Sequence, residues 1–359
     1  MNLAALGWDD RLAGAFRPFE VEGLMAARVI RQMGPIAFVH TAAGELEAEV
    51  SGRLKHEAAS KADLPVVGDW VAVRPGEGDG PAAIRAVLPR KSAFTRKVAG
   101  TTTDEQVVAA NVDTVFLVTG LDADYSVRRI ERYLTMAWES GAAPVVVLNK
   151  ADLCDDVSAR VREVAAVAFD APVHGVSALS GDGIEAFSVH LRVGATAAFL
   201  GSSGAGKSTL INRLLGEERL AVGAVRARDG QGQHTTSHRE LIVLPGGGLV
   251  IDTPGMREIG LWTDGDALRR TFEDIEALAA GCRFRDCAHQ AEPGCAVRQA
   301  VADGELDADR LDSYHRLQKE AAYLERRRDQ SAARVERDKW KKIATAARNW
   351  SKEKRSGLR

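Results

Sequence analysis

Cysteine is scarce: four residues in a chain of 359, too few for a disulfide scaffold of this length. Long hydrophobic runs are missing, and none approaches the roughly 20 residues needed to span a bilayer. An excess of one charge is missing too. There are 48 Lys and Arg against 50 Asp and Glu, a formal net charge of −2 that singles out no partner. The first residues carry Asp9, Asp10, Glu20 and Glu22 and have no long apolar core, so no secretory signal is expected. The rest is ordinary, 45% apolar and 27% charged, which excludes collagen-like, low-complexity and wholly disordered chains. The expectation is a reduced, cytoplasmic protein of two or three domains, at roughly 150 residues each.

Two local features depart from these averages. Residues 326–359 hold 13 Lys and Arg against 4 Asp and Glu, while the other 325 residues hold 35 against 46. A basic block on an acidic body is suited to a polyanion, and equally to a solvated helix with no partner. The second feature is the gathering of Cys282, Cys287 and Cys295 around His289.

The pattern along the chain divides in three. Met25–Ile30, Pro35–His40, Glu45–Val50 and Asp69–Val73 read as short strands between turns, which predicts a small barrel or sandwich of the five-stranded OB type. From about residue 105, strands alternate with helices. Val112–Thr119, Val145–Leu148, Pro172–Val176, Glu240–Leu244 and Leu249–Asp252 are the strands; Ser126–Glu139 and Val157–Ala168 are the helices. That alternation predicts a mostly parallel sheet covered on both faces. Beyond Leu261 only helical patterns remain, one over Asp266–Ala280 and a long charged one over much of 308–350.

The motif with the most chemistry is Gly201-Ser202-Ser203-Gly204-Ala205-Gly206-Lys207-Ser208, followed by Thr209. It matches G-x-x-x-x-G-K-[ST] between a strand and a helix, the setting of a phosphate-binding loop. Its glycines let successive N–H groups point at phosphate oxygens. Lys207 reaches the β and γ phosphates, and the Ser208 hydroxyl is a magnesium ligand. Asn149-Lys150-Ala151-Asp152 is N-K-x-D at the end of a strand. A carboxylate at Asp152 accepts from N1–H and the exocyclic amine of guanine, and adenine would leave it unmatched. Ser177-Ala178 resembles the short segment that closes over that base. Asp252-Thr253-Pro254-Gly255 is D-x-x-G, with Asp252 near magnesium and the Gly255 N–H toward the γ phosphate.

These motifs stand in a rotated order. An ordinary Ras-like GTPase begins with the phosphate loop; here N-K-x-D and S-A precede it. The set is that of a circularly permuted GTPase. With Val67-Gly68-Asp69-Trp70-Val71-Ala72-Val73, the run from Gln106 to Asp113, Gly232-Gln233-His234-Thr235-Thr236 and the cysteine cluster, the chain resembles the RsgA (YjeQ) family over nearly its whole length. The first 20 and last 25 residues or so match less clearly. The resemblance implies an α/β P-loop GTPase domain, circularly permuted, over 104–262. It adds an OB-type β barrel over 24–98 behind an N-terminal extension, 1–23. A mainly helical, zinc-binding module with a basic C-terminal helix fills 263–359.

The resemblance also implies roles. Thr235 or Thr236 is expected to ligate magnesium when GTP is bound. Met256 stands where a Ras-type enzyme has its water-orienting Gln, and His234 is the candidate for that task. Binding ribosomal RNA and stabilising the switch are its other readings. Slow intrinsic hydrolysis is expected. Cys282, Cys287, His289 and Cys295 supply three thiolates and an imidazole, a closed set suited to one structural zinc. The implied partners are GTP and GDP with magnesium, and the small (30S) ribosomal subunit with its 16S rRNA; no membrane is expected, and a monomer is. A GTP-gated RNA-binding switch with negligible hydrolysis is the alternative, and a small-molecule kinase a more distant one.

Overall fold

The computed structural model describes residues 2–76, 78, 80–97, 105–220, 239–252 and 265–326. Five strands close the barrel: β1 (Met25–Met33), β2 (Ile36–Thr41), β3 (Gly44–Val50), β4 (Trp70–Arg74) and β5 (Ala82–Val87). Their order is β1-β2-β3-β5-β4, and β4 pairs back onto β1. Alternate residues fill the interior, with Ala27, Val29, Val39, Val71, Val73 and Ile84 fully buried. Between β3 and β4 lie a short helix, α2 (Gly52–Glu57), and a 3-10 turn, Lys61–Asp63.

Ahead of the barrel, α1 (Asp10–Val21) starts at an Asp9 side chain that accepts from the Leu12 N–H at 2.8 Å, the usual N-cap arrangement. Its buried face, Leu12 and Phe16, packs with Trp8 over Trp70; the two indoles meet edge to face at 4.8 Å. The V-G-D-W run has a physical reading. Gly68 sits at φ +92°, where a Cβ would lie 2.1 Å from the Ala110 carbonyl oxygen. Buried Asp69 takes two hydrogen bonds from Arg90, at 2.8 and 2.7 Å.

A ribbon of β6 (Ala93–Lys97) and β7 (Glu105–Ala110) leads to the second sheet. That sheet consists of β8 (Thr114–Gly120), β9 (Ala143–Asn149), β10 (Val173–Gly175), β11 (Thr196–Leu200), β12 (Arg239–Val243) and β13 (Leu249–Asp252), ordered β10-β9-β8-β11-β13-β12. All pairings are parallel except β12 with β13. β8, β9, β11 and β13 are largely buried on both sides, as parallel strands are. One face presents Val115, Leu117, Val146 and Leu148 to α3 (Val127–Ser140) and the C-terminal helices. The other presents Phe116, Val118, Val145, Val147 and Phe199 to α5 (Lys207–Leu215). The helix α4 (Val157–Ala168) lies against β10.

The two sheets are one. β1 bends at a bulge between Val29 and Arg31, and beyond it Arg31 and Gln32 pair with Glu240 and Arg239 of β12. Eleven strands therefore run without a break from β10 to β4.

The C-terminal part holds α6 (Asp266–Thr271), α7 (Glu273–Ala279), α8 (Ala296–Ala302) and α9, helical over 308–326. The single helix expected over Asp266–Ala280 is two. Phe272, fully buried, adopts φ −119° and ψ 42° to reach the core beside Tyr314, and that ends one helix and starts the next. Among the described residues, no helix is long and apolar enough to cross a membrane.

Candidate functional site

The C-terminal ends of β8, β9, β10, β11 and β13 converge on one edge of the sheet, where open α/β sheets hold ligands. β11 ends at Leu200, and the loop Gly201–Gly206 turns the chain into α5. Gly204 and Gly206 adopt φ +81° and +93°, which other L-residues rarely do. A Cβ on Gly201 would come within 2.2 Å of the Val118 carbonyl oxygen, and one on Gly206 within 2.1 Å of Asn149 Nδ2. The glycines thus serve close packing as well as turning. The Lys207 ammonium donates to the carbonyls of Gly201 at 2.8 Å and Ser202 at 2.6 Å, so it lies across the mouth of the loop. Ser208 and Thr209 fall in the first turn of α5.

Asn149 joins the segments that the sequence holds apart. Its Nδ2 donates to the Ala205 carbonyl at 2.8 Å, and its Oδ1 accepts from the Ala178 N–H at 3.0 Å. Asp152 accepts from the Ser177 hydroxyl at 2.5 Å. Lys150 adopts φ +64° and pairs with Asp122 at 2.5 Å. The N-K-x-D, S-A and phosphate-loop residues therefore form one constellation. Asp252 closes β13 next to β11. Burial pushes its carboxyl above the usual range, Glu240 adds to the shift, and Lys207 opposes it. A carboxylate in that position favours a cation. His234, Thr235, Thr236, Gly255 and Met256 lie outside the described residues, as does the chain from 327 onward.

Asp122 and Asp124 belong to none of the sequence motifs. Asp124 accepts from the Ser202 hydroxyl of the phosphate loop and from Arg129 at 2.5 Å. Both follow a buried strand at its C-terminal end, a position that itself marks ligand contact in such sheets.

The second constellation is Cys282, Cys287, His289 and Cys295, whose ligand atoms all lie within 4.8 Å of one another. The Cys282 and Cys295 sulfurs are 3.9 Å apart, and His289 Nδ1 is 3.6 and 3.4 Å from them. Two thiolates on one tetrahedral zinc, each at about 2.3 Å, stand about 3.8 Å apart; a disulfide would need about 2.05 Å. The donors and their spacing fit zinc. The surrounding loop is built for them. His289 adopts φ +56°, and Cys295 caps α8, its sulfur accepting from the Arg298 N–H at 3.5 Å. Glu292 accepts from its own backbone N–H and from those of Gln290, Ala288 and Ala291, and these bonds hold its carboxyl down at about 2.

The family model described as RsgA GTPase matches residues 87–262. The small ribosomal subunit biogenesis GTPase RsgA of Opitutus terrae is 55% identical over 352 residues, covering 96% of each chain. The crystal structure of YjeQ from Thermotoga maritima aligns with a TM-score of 0.63 at 28% identity, covering 83% of this chain and 99% of that one. YloQ, described as a circularly permuted GTPase, aligns with a TM-score of 0.60 at 24% identity over 83% of this chain and 95% of its own, which speaks for the fold. With the motif order, the permuted sheet and a relative this similar along both chains, the protein belongs to the RsgA family of circularly permuted GTPases.

Proposed function

We propose that this chain hydrolyses GTP on the small (30S) ribosomal subunit late in the maturation of that subunit, and that hydrolysis accompanies its own departure and the release of other assembly factors. The observation that carries the nucleotide half is Asn149, which ties the base-reading segments to the phosphate loop. The ribosomal half rests on the name of the 55% identical relative and on the +9 balance of residues 326–359, suited to the phosphates of 16S rRNA.

In this reading Asp152 and Lys150 select guanine, Ser177 and Ala178 cover it, and the loop 201–209 holds the phosphates. Water attacks the γ phosphorus, the β–γ phosphoanhydride breaks, and GDP and phosphate leave. Ser208, Asp252 and Thr235 or Thr236 are the residues to hold magnesium, which when bound neutralises charge on the β and γ oxygens. Lys207, across the loop, acts on the same charge, and the Gly255 N–H is the proposed γ-phosphate sensor. His234 orients the water, the place left open by Met256. Cys282, Cys287, His289 and Cys295 hold one structural zinc. The barrel, the zinc module and the basic tail are the rRNA-facing parts of a cytoplasmic monomer.

The test is phosphate release with and without purified small subunits, beside Lys207→Ala and His234→Ala. Stimulation by subunits, lost in Lys207→Ala, is the expected result. His234→Ala should keep nucleotide affinity and lose most of the stimulated rate. Met256 favours one other reading, a GTP-gated RNA-binding switch; the absence of stimulated release, with GTP-dependent subunit binding intact, would establish it instead.

A further inference from the structure

Between β8 and α3 runs a six-residue loop, 121–126, that no motif covers. Its two carboxylates reach opposite ends of the nucleotide site. Asp122 Oδ2 pairs with the Lys150 ammonium at 2.5 Å, while its Oδ1 accepts from the Asp124 N–H at 3.0 Å. Asp124 in turn holds the Ser202 hydroxyl, and Arg129 holds Asp124. The strand end is shaped for this. A Cβ on Gly120 would stand 2.9 Å from Asp122 Oδ1 and 3.3 Å from Lys150 Cδ.

Lys150 needs such a hold for two reasons. Its backbone is left-handed at φ +64°, a conformation costly for a residue with a Cβ. Its ammonium also has a competing partner close in sequence. Asp152, two residues on, must keep its carboxylate open for the N1–H and 2-amino groups of guanine, and at present its contact is the neutral Ser177 hydroxyl. A lysine free to swing onto Asp152 would neutralise the group that reads the base. The Lys150 bond keeps the Asp122 carboxyl below its usual range against partial burial, so Asp122 is ionised at neutral pH.

Resting on the guanine-site reading above, we propose that Asp122 and Asp124 are positioning residues for the nucleotide. Asp122 draws Lys150 along the base plane and away from Asp152. Asp124 sets the phosphate loop through Ser202. Neither touches the nucleotide itself.

The two ends separate in a binding assay with GDP and IDP, whose hypoxanthine lacks the 2-amine. Asp122→Asn keeps the shape and removes the charge. GDP affinity should fall about tenfold, the scale of one lost charge-assisted bond, and the preference for GDP over IDP should shrink with it. Asp122→Glu should restore most of that preference, and Asp122→Asn should add nothing to Lys150→Ala. Asp124→Asn should weaken GDP and IDP equally and leave their ratio unchanged. A purely structural role would lower thermal stability and leave the GDP/IDP ratio of Asp122→Asn at the wild-type value; that result overturns the proposal. Asp152→Asn serves as the reference. If it retains guanine preference, the base-site reading fails first and takes this inference with it.

Discussion

Arg28 is almost wholly hidden from water, at 1% exposure, and among the described residues no carboxylate is in hydrogen-bond contact with it. Its guanidinium donates to the carbonyls of Leu6, Gly68 and Asn111 and to the Thr196 hydroxyl, and lies 5.5 Å from the Trp70 ring. Burial lowers its pKa to about 10, with Asp113 and Asp69 opposing the fall, so it stays charged at neutral pH. One side chain thus binds the N-terminal turn, the barrel, the linker and β11. Arg28→Met should cost about 3–5 kcal/mol, since several buried acceptors lose their partner at once; urea unfolding measures it. Gly68→Ala should cost about 2 kcal/mol or more at the same readout, from positive φ and the collision with Ala110. Legibility follows from sequence distance. The phosphate loop was readable because its chemistry sits within nine adjacent residues. Arg28 was not, because its partners are 22 to 168 positions away. Asp122 is not legible from Lys150, because nothing local ties residues 28 positions apart.

At the scale of elements, α3 is the junction of the molecule. Ser126 caps its start, its side chain accepting from the Arg129 N–H, and Gly141 ends it in the left-handed region. Along one side Arg128 pairs with Asp309, Glu131 with Arg310 at 2.7 Å, and Arg132 with Glu320 through two bonds. Arg310 also holds Asp274 and the Thr271 carbonyl, and packs on Phe272. Glu131 is 2% exposed, so Arg310→Met should leave a buried charge unmatched and cost about 3–5 kcal/mol. Adding Glu131→Met should recover much of it; thermal unfolding of the single and double variants decides. Removing zinc with a chelator, or replacing Cys295 by Ser, should release amide protection across 265–326 and leave β8–β11 protected, as hydrogen exchange would show. The Cys282, Cys287, His289 and Cys295 cluster was legible as a spacing. The split of the expected Asp266–Ala280 helix was not, because Phe272 is turned by packing that helical periodicity does not contain.

At the scale of the whole molecule, charge and connectivity divide the labour. The body is acidic and the tail basic, so the small-subunit affinity proposed above should fall steeply with salt. Ending the chain at Arg326 should flatten that slope in a salt titration of binding. The permutation was legible from motif order alone. The fusion of barrel and nucleotide sheet was not, because β1 and β12 lie some 200 residues apart and a bulge in β1 makes their meeting possible.

That fusion has a mechanical corollary. Among the described residues, β12 holds β13 along four residue pairs, Glu240 to Val243, and holds β1 along two, at Arg31 and Gln32. The eleven-stranded sheet is therefore scored like a folded card, with the score line between Gln32 and Arg239. A load that twists the barrel against the nucleotide sheet should concentrate its strain there. Amides at Arg31, Gln32 and Glu240 should exchange faster than those at Leu241 and Ile242.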